Sequence, residues 1–258
     1  MEKRWGIESH LIGPNELRGM APHLAGDLHG AVFCPAEGRI DALRGTMALL
    51  RLAQQAGARV LRGTEVSAIA REGAAWQMQT SNGPITAGRV VNAAGALGGQ
   101  VGAMVGLNLP VSGTVQQVIV TEPAPRMVEH LIALSHRHLS LKQQDSGGLL
   151  IGGGWFGHFD PRDGRTRNLR ENIQGNLWVA ARVLPALRGL SIIRSWTGIN
   201  PAIDRAPVLG EAPALPGFFN ALTANGYTLG PICGRLTADA VLQRDSVAGY
   251  FRVERFNA

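Results

Sequence analysis

Helical and strand spacings of apolar residues alternate along the chain. Over residues 41–56 they recur at helical spacing, with Leu43, Met47 and Leu50 on one stripe. Asp41 can cap the start, and Gly57 stands where a helix-ending glycine belongs. A shorter helix is predicted over 14–24, ended by Pro22. Residues 58–69 read as one or two strands. Trp76, Met78 and Thr80 then alternate with polar neighbours, Asn82-Gly83 supplies a hairpin turn, and the chain runs back from Ile85 to Val91. Past Pro110, strands are predicted over 115–121, 138–144 and 149–154, with residues 145–148 turning between the last two. Helical spacing returns at Ile173, Leu177, Ala181 and Leu184, closed by Pro185. A strand over 190–198 follows, then another within 213–222. A glycine turn and a helix over 223–242 come last, with Ile232, Leu236 and Ala240 on one face. The two ends predict one layered unit of helices and strands, and the middle an antiparallel insertion.

Composition narrows the class. With 45% apolar and 17% charged residues among 258, the chain can bury a core and is not disordered. The net charge of +6 is scattered and forms no basic block, which argues against nucleic acid as a partner. Cys34 and Cys233 make no CxxC pair, so neither a disulfide framework nor a zinc site is expected. A reducing, cytoplasmic compartment fits, and residues 1–13 carry no apolar signal-peptide core. His136 and His138 would share a strand face but have no third ligand, so no metal is expected.

Two glycine-rich stretches need separate treatment. Residues 90–111 have the length of a membrane span and repeat GxxxG at Gly98, Gly102 and Gly106. Asn92, Gln100 and Asn108 interrupt the stretch and bulky aliphatics are few, so a strand, a turn and a short close-packed helix explain it better. GGGWFG (152–157) fits the spacing of a dinucleotide-binding turn, with Gly152, Gly154 and Gly157. The fingerprint requires a helix after the turn, and Pro161 and Gly164 forbid one. We read it as a strand end. An NAD-dependent enzyme would instead need a helix N-terminus there.

VVNAAG (90–95), RSWTGINPAIDRAPVLG (194–210) and TANGYTLGPICGRLTADAVL (223–242), in this order, resemble the FAD-dependent D-amino-acid oxidase superfamily. That group includes glycine oxidase, D-amino-acid dehydrogenases, sarcosine oxidase β subunits and opine oxidase subunits. Residues 37–69 are similar to it as well. The resemblance covers essentially the whole chain. It implies an α/β fold with an α+β insertion: part of a Rossmann-like FAD domain interleaved with an antiparallel-sheet substrate domain. The corresponding division is 1–36 substrate-domain edge, 37–108 FAD domain, 109–193 substrate domain and 194–258 FAD domain. The family also has an N-terminal βα unit carrying GxGxxG, and this sequence reads as starting downstream of it.

The resemblance implies FAD as cofactor, held by Val66, Ala93, Ala94, Gly95, Gly198, Ile199, Asn225, Gly226, Tyr227, Thr228 and Leu229. Physically, Ala93, Ala94 and Gly95 let a backbone lie against a ligand, or simply make a tight turn. Val66 on its own reads as an ordinary strand valine. Gly226 and Gly230 permit an unusual backbone path, and Pro231 suits a first helical turn whose free N–H groups can face an anionic flavin or merely start a core helix. Where relatives often place a carboxylate-gripping Arg, this chain has Asn200, which offers two N–H donors but no charge. Lys142, Arg194 and Arg205 are the other candidates for the substrate carboxylate, and Arg205 is expected to pair with a nearby acid. Asn200 and Lys142 are the substrate residues chosen. No catalytic acid or base is identified, because Glu65, Glu122 and Asp204 are isolated. The implied reaction is hydride transfer from the amine-bearing carbon of an amine or amino acid to FAD, giving an imine that water hydrolyses. The resemblance leaves open another subunit and a peripheral membrane electron acceptor. The alternative is a truncated, non-catalytic fold or partner subunit that binds no FAD by itself.

Overall fold

The structure is a computed structural model and describes residues 2–256. In chain order the elements are β1 (His10–Ile12), α1 (Pro14–Met20), β2 (Ala31–Phe33), α2 (Ala42–Gln55), β3 (Val66–Glu72), β4 (Ala75–Thr80), β5 (Ile85–Ala87), β6 (Val90–Asn92) and α3 (Gly98–Ala103). They continue with β7 (Ser112–Pro123), β8 (Ile132–Ala133), β9 (Ser140–Gln143), β10 (Gly148–Gly152), β11 (His158–Asp160), β12 (Arg165–Arg167) and α4 (Arg170–Val183). Last come β13 (Ile192–Ala202), β14 (Val208–Glu211), β15 (Phe218–Leu222) and α5 (Gly226–Val241). Two compact units result: residues 1–41 with 115–198, and residues 42–114 with 199–258.

The first unit is built on a five-stranded sheet of order β13-β7-β10-β9-β8. Alternation sends Ile119, Leu141, Leu149 and Ile151 to one face, where α4 covers them with Val179, Ala180 and Val183. Each such aliphatic, fully buried, stabilises the fold by about 1.5–3 kcal/mol. Gln143 is wholly buried on the same face. Its Oε1 accepts from Met127 N (2.8 Å) and Val128 N (3.1 Å), and its Nε2 reaches the carbonyls of Pro125 and Gly147 (both 2.9 Å). One side chain thereby ties the loop after β7 to the turn at 145–148.

The segment after GGGWFG, free of helix as expected, forms the small hairpin β11-β12, which the sequence pattern did not reveal. Charge pairing holds it. Asp160, with only 8% of its side chain exposed, receives Arg162 Nη2 (2.8 Å) and Arg167 Nη1 (3.0 Å). The bonds from Arg162 and the Arg167 charge outweigh desolvation and hold the Asp160 carboxyl at about 2. Because this lies below the usual ~3.9 of an unfolded Asp, the contribution is complete above that value and disappears as pH falls through about 2. Asp160→Asn is therefore expected to lower Tm at neutral pH. The gap from the parent protein should close between pH 4 and 2 in thermal melts, and a gap independent of pH would contradict the assignment.

The second unit has two three-stranded sheets, β14-β15-β6 and β3-β4-β5. Trp76 and Phe218 meet in its core at a ring separation of 5.7 Å, and Trp76 Nε1 donates to Pro216 O (3.2 Å). The return run 85–91 is not one strand as predicted. It divides at Gly88-Arg89 into β5, paired with β4, and β6, paired with β15, because Val90 N binds Gly217 O (2.9 Å). Residues 58–65 make turns, and only β3 forms from the predicted strand region. Helix α2 is present, but its apolar stripe is only partly covered: Leu50 is half-buried, while Leu43 is 83% exposed.

Gly98, Gly99 and Gly102 serve close packing, whereas Gly106 turns the chain with φ +79 in open space. A Cβ on Gly98 would stand 2.6 Å from Leu222 Cδ2, and one on Gly102 2.8 Å from Leu109 Cδ1. The helix they belong to spans six residues, and no helix among the described residues is long and apolar enough to cross a membrane.

Candidate functional site

In the second unit, β6 and β15 run parallel and side by side, with Asn92 opposite Asn220. Each strand leads at its carboxyl end into a helix. β6 continues through Ala93, Ala94 and Gly95 to α3, and β15 continues through Thr223, Ala224 and Asn225 to α5. Two strand-to-helix connections thus leave the same end of one parallel pair. In open α/β sheets that end is where ligands bind, because helix N-termini and backbone N–H groups converge there.

The first connection is held from below. Asn92, 2% exposed, accepts from Ala94 N at its Oδ1 (3.3 Å) and donates from Nδ2 to Gly98 O (2.9 Å) and Asn220 Oδ1 (3.2 Å). The Nδ2 of buried Asn220 has no hydrogen-bond partner among the described residues. Gly95 turns the chain with φ +59, a left-handed conformation that a side chain rarely adopts. A Cβ there would lie 3.8 Å from Pro201 Cγ, so the strand segment holding Ile199 and Asn200 runs beside the turn. Ile199 is 45% exposed with its Cγ2 against Gly113, and the Asn200 carbonyl accepts from Thr114 Oγ1 (3.3 Å) while its side chain is exposed.

The second connection opens α5, whose first helical hydrogen bond is Leu229 N to Asn225 O (2.8 Å). The N–H groups of Gly226, Tyr227 and Thr228 precede that bond, and the Asn225 side chain does not cap them. These three residues and Asn225 are exposed, and nothing lies within 4 Å of a Cβ built on Gly226. The Tyr227 ring points elsewhere: its hydroxyl donates to Ala42 O (3.1 Å) and lies 2.9 Å from Thr46 Oγ1, tying α5 to α2. Leu229 packs against the small core of Leu209, Cys233 and Val247. Burial pushes the Cys233 thiol up, more than its hydrogen bond with Thr223 pulls it down, so this Cys is an inert core group. Pro231 is not in the first turn as expected. It is the sixth residue of α5, because the helix starts at Gly226 rather than near Gly230.

Not every expected residue joins this crevice. Val66 begins β3 in the other sheet of the unit and is packed, half-buried, on the Trp76–Phe218 core. Gly198 and Lys142 belong to the first unit. There Lys142 lies on β9 and donates from Nζ to Ile40 O (3.2 Å), and Gly198 has open space around it. Arg205, expected to pair with an acid, has no carboxylate partner among the described residues. It takes φ +76, and Asp204 is instead gripped by both arms of Arg255 (2.7 and 2.8 Å), which hold its carboxyl below the usual range. Asn92 and Asn220 are the site residues that sequence reasoning missed. The available signal was Asn92 itself: an Asn ending a β-branched strand two residues before a small-residue turn can bond that turn's N–H. Among the described residues no cluster of His, Cys, Asp and Glu could hold a metal ion.

GGGWFG has no part in this. β10 ends at Gly152, no helix follows before β11, and the glycines pack closely: Gly152 on β7, Gly153 on the Leu139–Ser140 backbone, Gly154 on the His138 ring and Gly157 on Arg167 O and the Val115 and Thr197 side chains. The NAD-dependent alternative required a helix there.

Comparison with known proteins agrees with this geometry. The sequence matches the FAD dependent oxidoreductase (DAO) family over residues 1–240. It is 34% identical to the glycine oxidase of Geobacillus kaustophilus over 88% of this chain and 60% of that protein. It is 28% identical to the sarcosine oxidase subunit beta of Rhizobium meliloti over 97% of this chain and 62% of that subunit. The crystal structure of the Geobacillus glycine oxidase superposes with a TM-score of 0.87 at 27% identity, covering 98% of this chain and 68% of that one. The chain thus spans about 60% of the length of these relatives. With the family match over residues 1–240, the mixed α/β fold and the crevice at the carboxyl end of a parallel strand pair, this chain belongs to the DAO family of FAD-dependent oxidoreductases.

Proposed function

We propose that the chain acts in the FAD-dependent oxidation of an amine or amino acid, with the β6–β15 crevice holding part of the FAD. The observation that carries this is the pair of strand-to-helix connections leaving one end of a parallel pair, one small-residued and one uncapped. Both fit a dinucleotide. Ala93, Ala94 and Gly95 have too little side chain to keep a phosphate or ribose away, and the N–H groups of 226–228 suit an anionic oxygen. FAD, when bound, supplies the hydride acceptor for the carbon that bears the amine.

The protein's own task is positioning. The 93–95 turn and the start of α5 orient the cofactor by backbone contact. Asn200 offers two uncharged donors to a substrate carboxylate. No side-chain base is needed if the amine arrives neutral, and the resulting imine is hydrolysed by water. Ile199, on the strand segment beside the 93–95 turn, offers apolar surface to the cofactor.

The test is a visible spectrum of the purified chain after incubation with FAD and desalting. A retained flavin spectrum that is lost in Gly95→Val is expected, since Val cannot take the left-handed turn without strain. No retained flavin would favour the second reading, a fold that needs a further polypeptide. The largely exposed stripe of α2 is the observation on that side.

A further inference from the structure

Near its carboxyl end α4 shows two faces. Val179 and Val183, each 2% exposed, lie on the core of the first unit. Trp178 and Arg182, one turn apart, share the neighbouring face, and Trp178 is 60% exposed. Two loops border that face. Ala25 N binds Val183 O (2.8 Å) and Asp27 Oδ2 accepts from Arg182 Nη2 (2.5 Å), which fixes the 25–30 segment against the helix. Gly30 ends the segment with φ +149, where a Cβ would lie 2.4 Å from Ile12 O. The second loop joins β8 to β9. Leu134 packs on the core and leaves Ser135, His136 and Arg137 exposed. The Arg137 guanidinium sits 5.5 Å from the Trp178 ring centre.

These three segments enclose a cleft of about 490 Å³, all of it within the first unit. Its donors outnumber its acceptors. Asp27 is the one acid on the wall, and Arg182 takes it. Arg137 has no carboxylate partner among the described residues, and the side chains of His29, His136 and Trp178 make no hydrogen bond there. One unpaired guanidinium fork, two imidazole rings and an indole N–H thus line a single space. A carboxylate brings two oxygens and one charge. A phosphate ester brings three free oxygens and nearly two charges, so it engages more of these donors at once. The phosphate would fill a small part of the cleft, and the exposed Trp178 ring gives the rest an apolar wall.

We propose that this cleft binds a phosphate monoester of a small organic molecule, with the phosphate on Arg137, His29 and His136 and the organic part against Trp178. None of these residues is assigned to the flavin or to the amine, so the site is separate from the oxidation reading.

The test is calorimetric titration of the purified chain with phenyl phosphate, inorganic phosphate and benzoate, with amide NMR shifts to locate binding. Phenyl phosphate is expected to bind about 10-fold more tightly than either of the others, because only it brings both the doubly charged group and the ring. Its shifts should fall on residues 27–30, 134–137 and 178–183. Arg137→Met should lower its affinity about 10-fold, and Arg137→Lys less, since Lys keeps the charge without the fork. Trp178→Ala should bring phenyl phosphate down to the affinity of inorganic phosphate. Both side chains are exposed, so these variants should melt with the parent. No binding, equal affinities for phenyl phosphate and benzoate, unaffected variants or shifts confined to other residues would each overturn the proposal. So would co-sedimentation with phosphatidylglycerol vesicles without binding of phenyl phosphate, which would assign the cleft to a lipid surface.

Discussion

Gly153→Ala is expected to prevent the first unit from folding stably. Gly153 takes φ +102, and a Cβ there would lie 2.3 Å from Ser140 N, 2.4 Å from Leu139 C and 2.9 Å from Leu139 Cα. All three are backbone atoms, so no side chain can swing aside. Relief means moving Ser140, which pairs with Gly152 and leads β9 into register with β10. Those two strands carry Leu141, Leu149 and Ile151, each 0% exposed. Loosening them adds packing losses to the strain of the left-handed backbone, and a total above about 4 kcal/mol is a large part of a domain's 5–15 kcal/mol. Circular dichroism melts should show a collapsed Tm or no cooperative transition. Gly164→Asn is the control: Gly164 also has positive φ (+68), but nothing lies within 4 Å of its Cβ position, so only a small loss is expected. A Gly153→Ala protein that melts like the parent would show that the loop takes another path.

Asn92→Leu should cost both stability and flavin retention. The substitution preserves shape but strands Gly98 O, Ala94 N and Asn220 Oδ1, all bound by Asn92. Asn92 and Asn220 are 2% and 0% exposed, so water does not readily replace the lost bonds. Each stranded group costs about 1–3 kcal/mol, which predicts a loss of several kcal/mol. The double variant Asn92→Leu, Asn220→Leu removes both amides and should recover part of it, because paired apolar groups are cheaper than half a polar pair. Flavin should not return with it, since Ala94 N still lacks the bond that shapes the turn. Recovery of stability and of the flavin spectrum together would mean that Asn92 is a packing residue only.

Local spacing was enough for most long elements. Residues 41–56 and 168–184 repeat at helical intervals, and α2 and α4 lie there, because helix-facing residues must fall on one side whatever they pack on. The strands at 115–121 and 149–154 and the turn between 144 and 148 were legible for the same reason. Failure came where a choice of partner decided the outcome. Ile85 to Val91 alternates without interruption, yet β5 and β6 enter different sheets. Leu43, Met47 and Leu50 form a stripe, yet Leu43 and Met47 stay exposed and only Leu50 is half-buried. Arg205 adjoins Asp204 in sequence, but Arg255 takes that acid, since ion pairing follows space rather than order.

For the candidate site, the sequence alone supplied the residue types: small groups at 93–95, a glycine-flanked helix start at 225–229, and the uncharged Asn200. These are local chemical requirements, and they are written in single residues. Only the tertiary structure decided that the first two connections leave the same end of a parallel pair and that Asn92 and Asn220 join beneath them. Strand order and register depend on contacts between residues far apart in the chain, here Asn92 with Asn220, and no short window of sequence contains both partners.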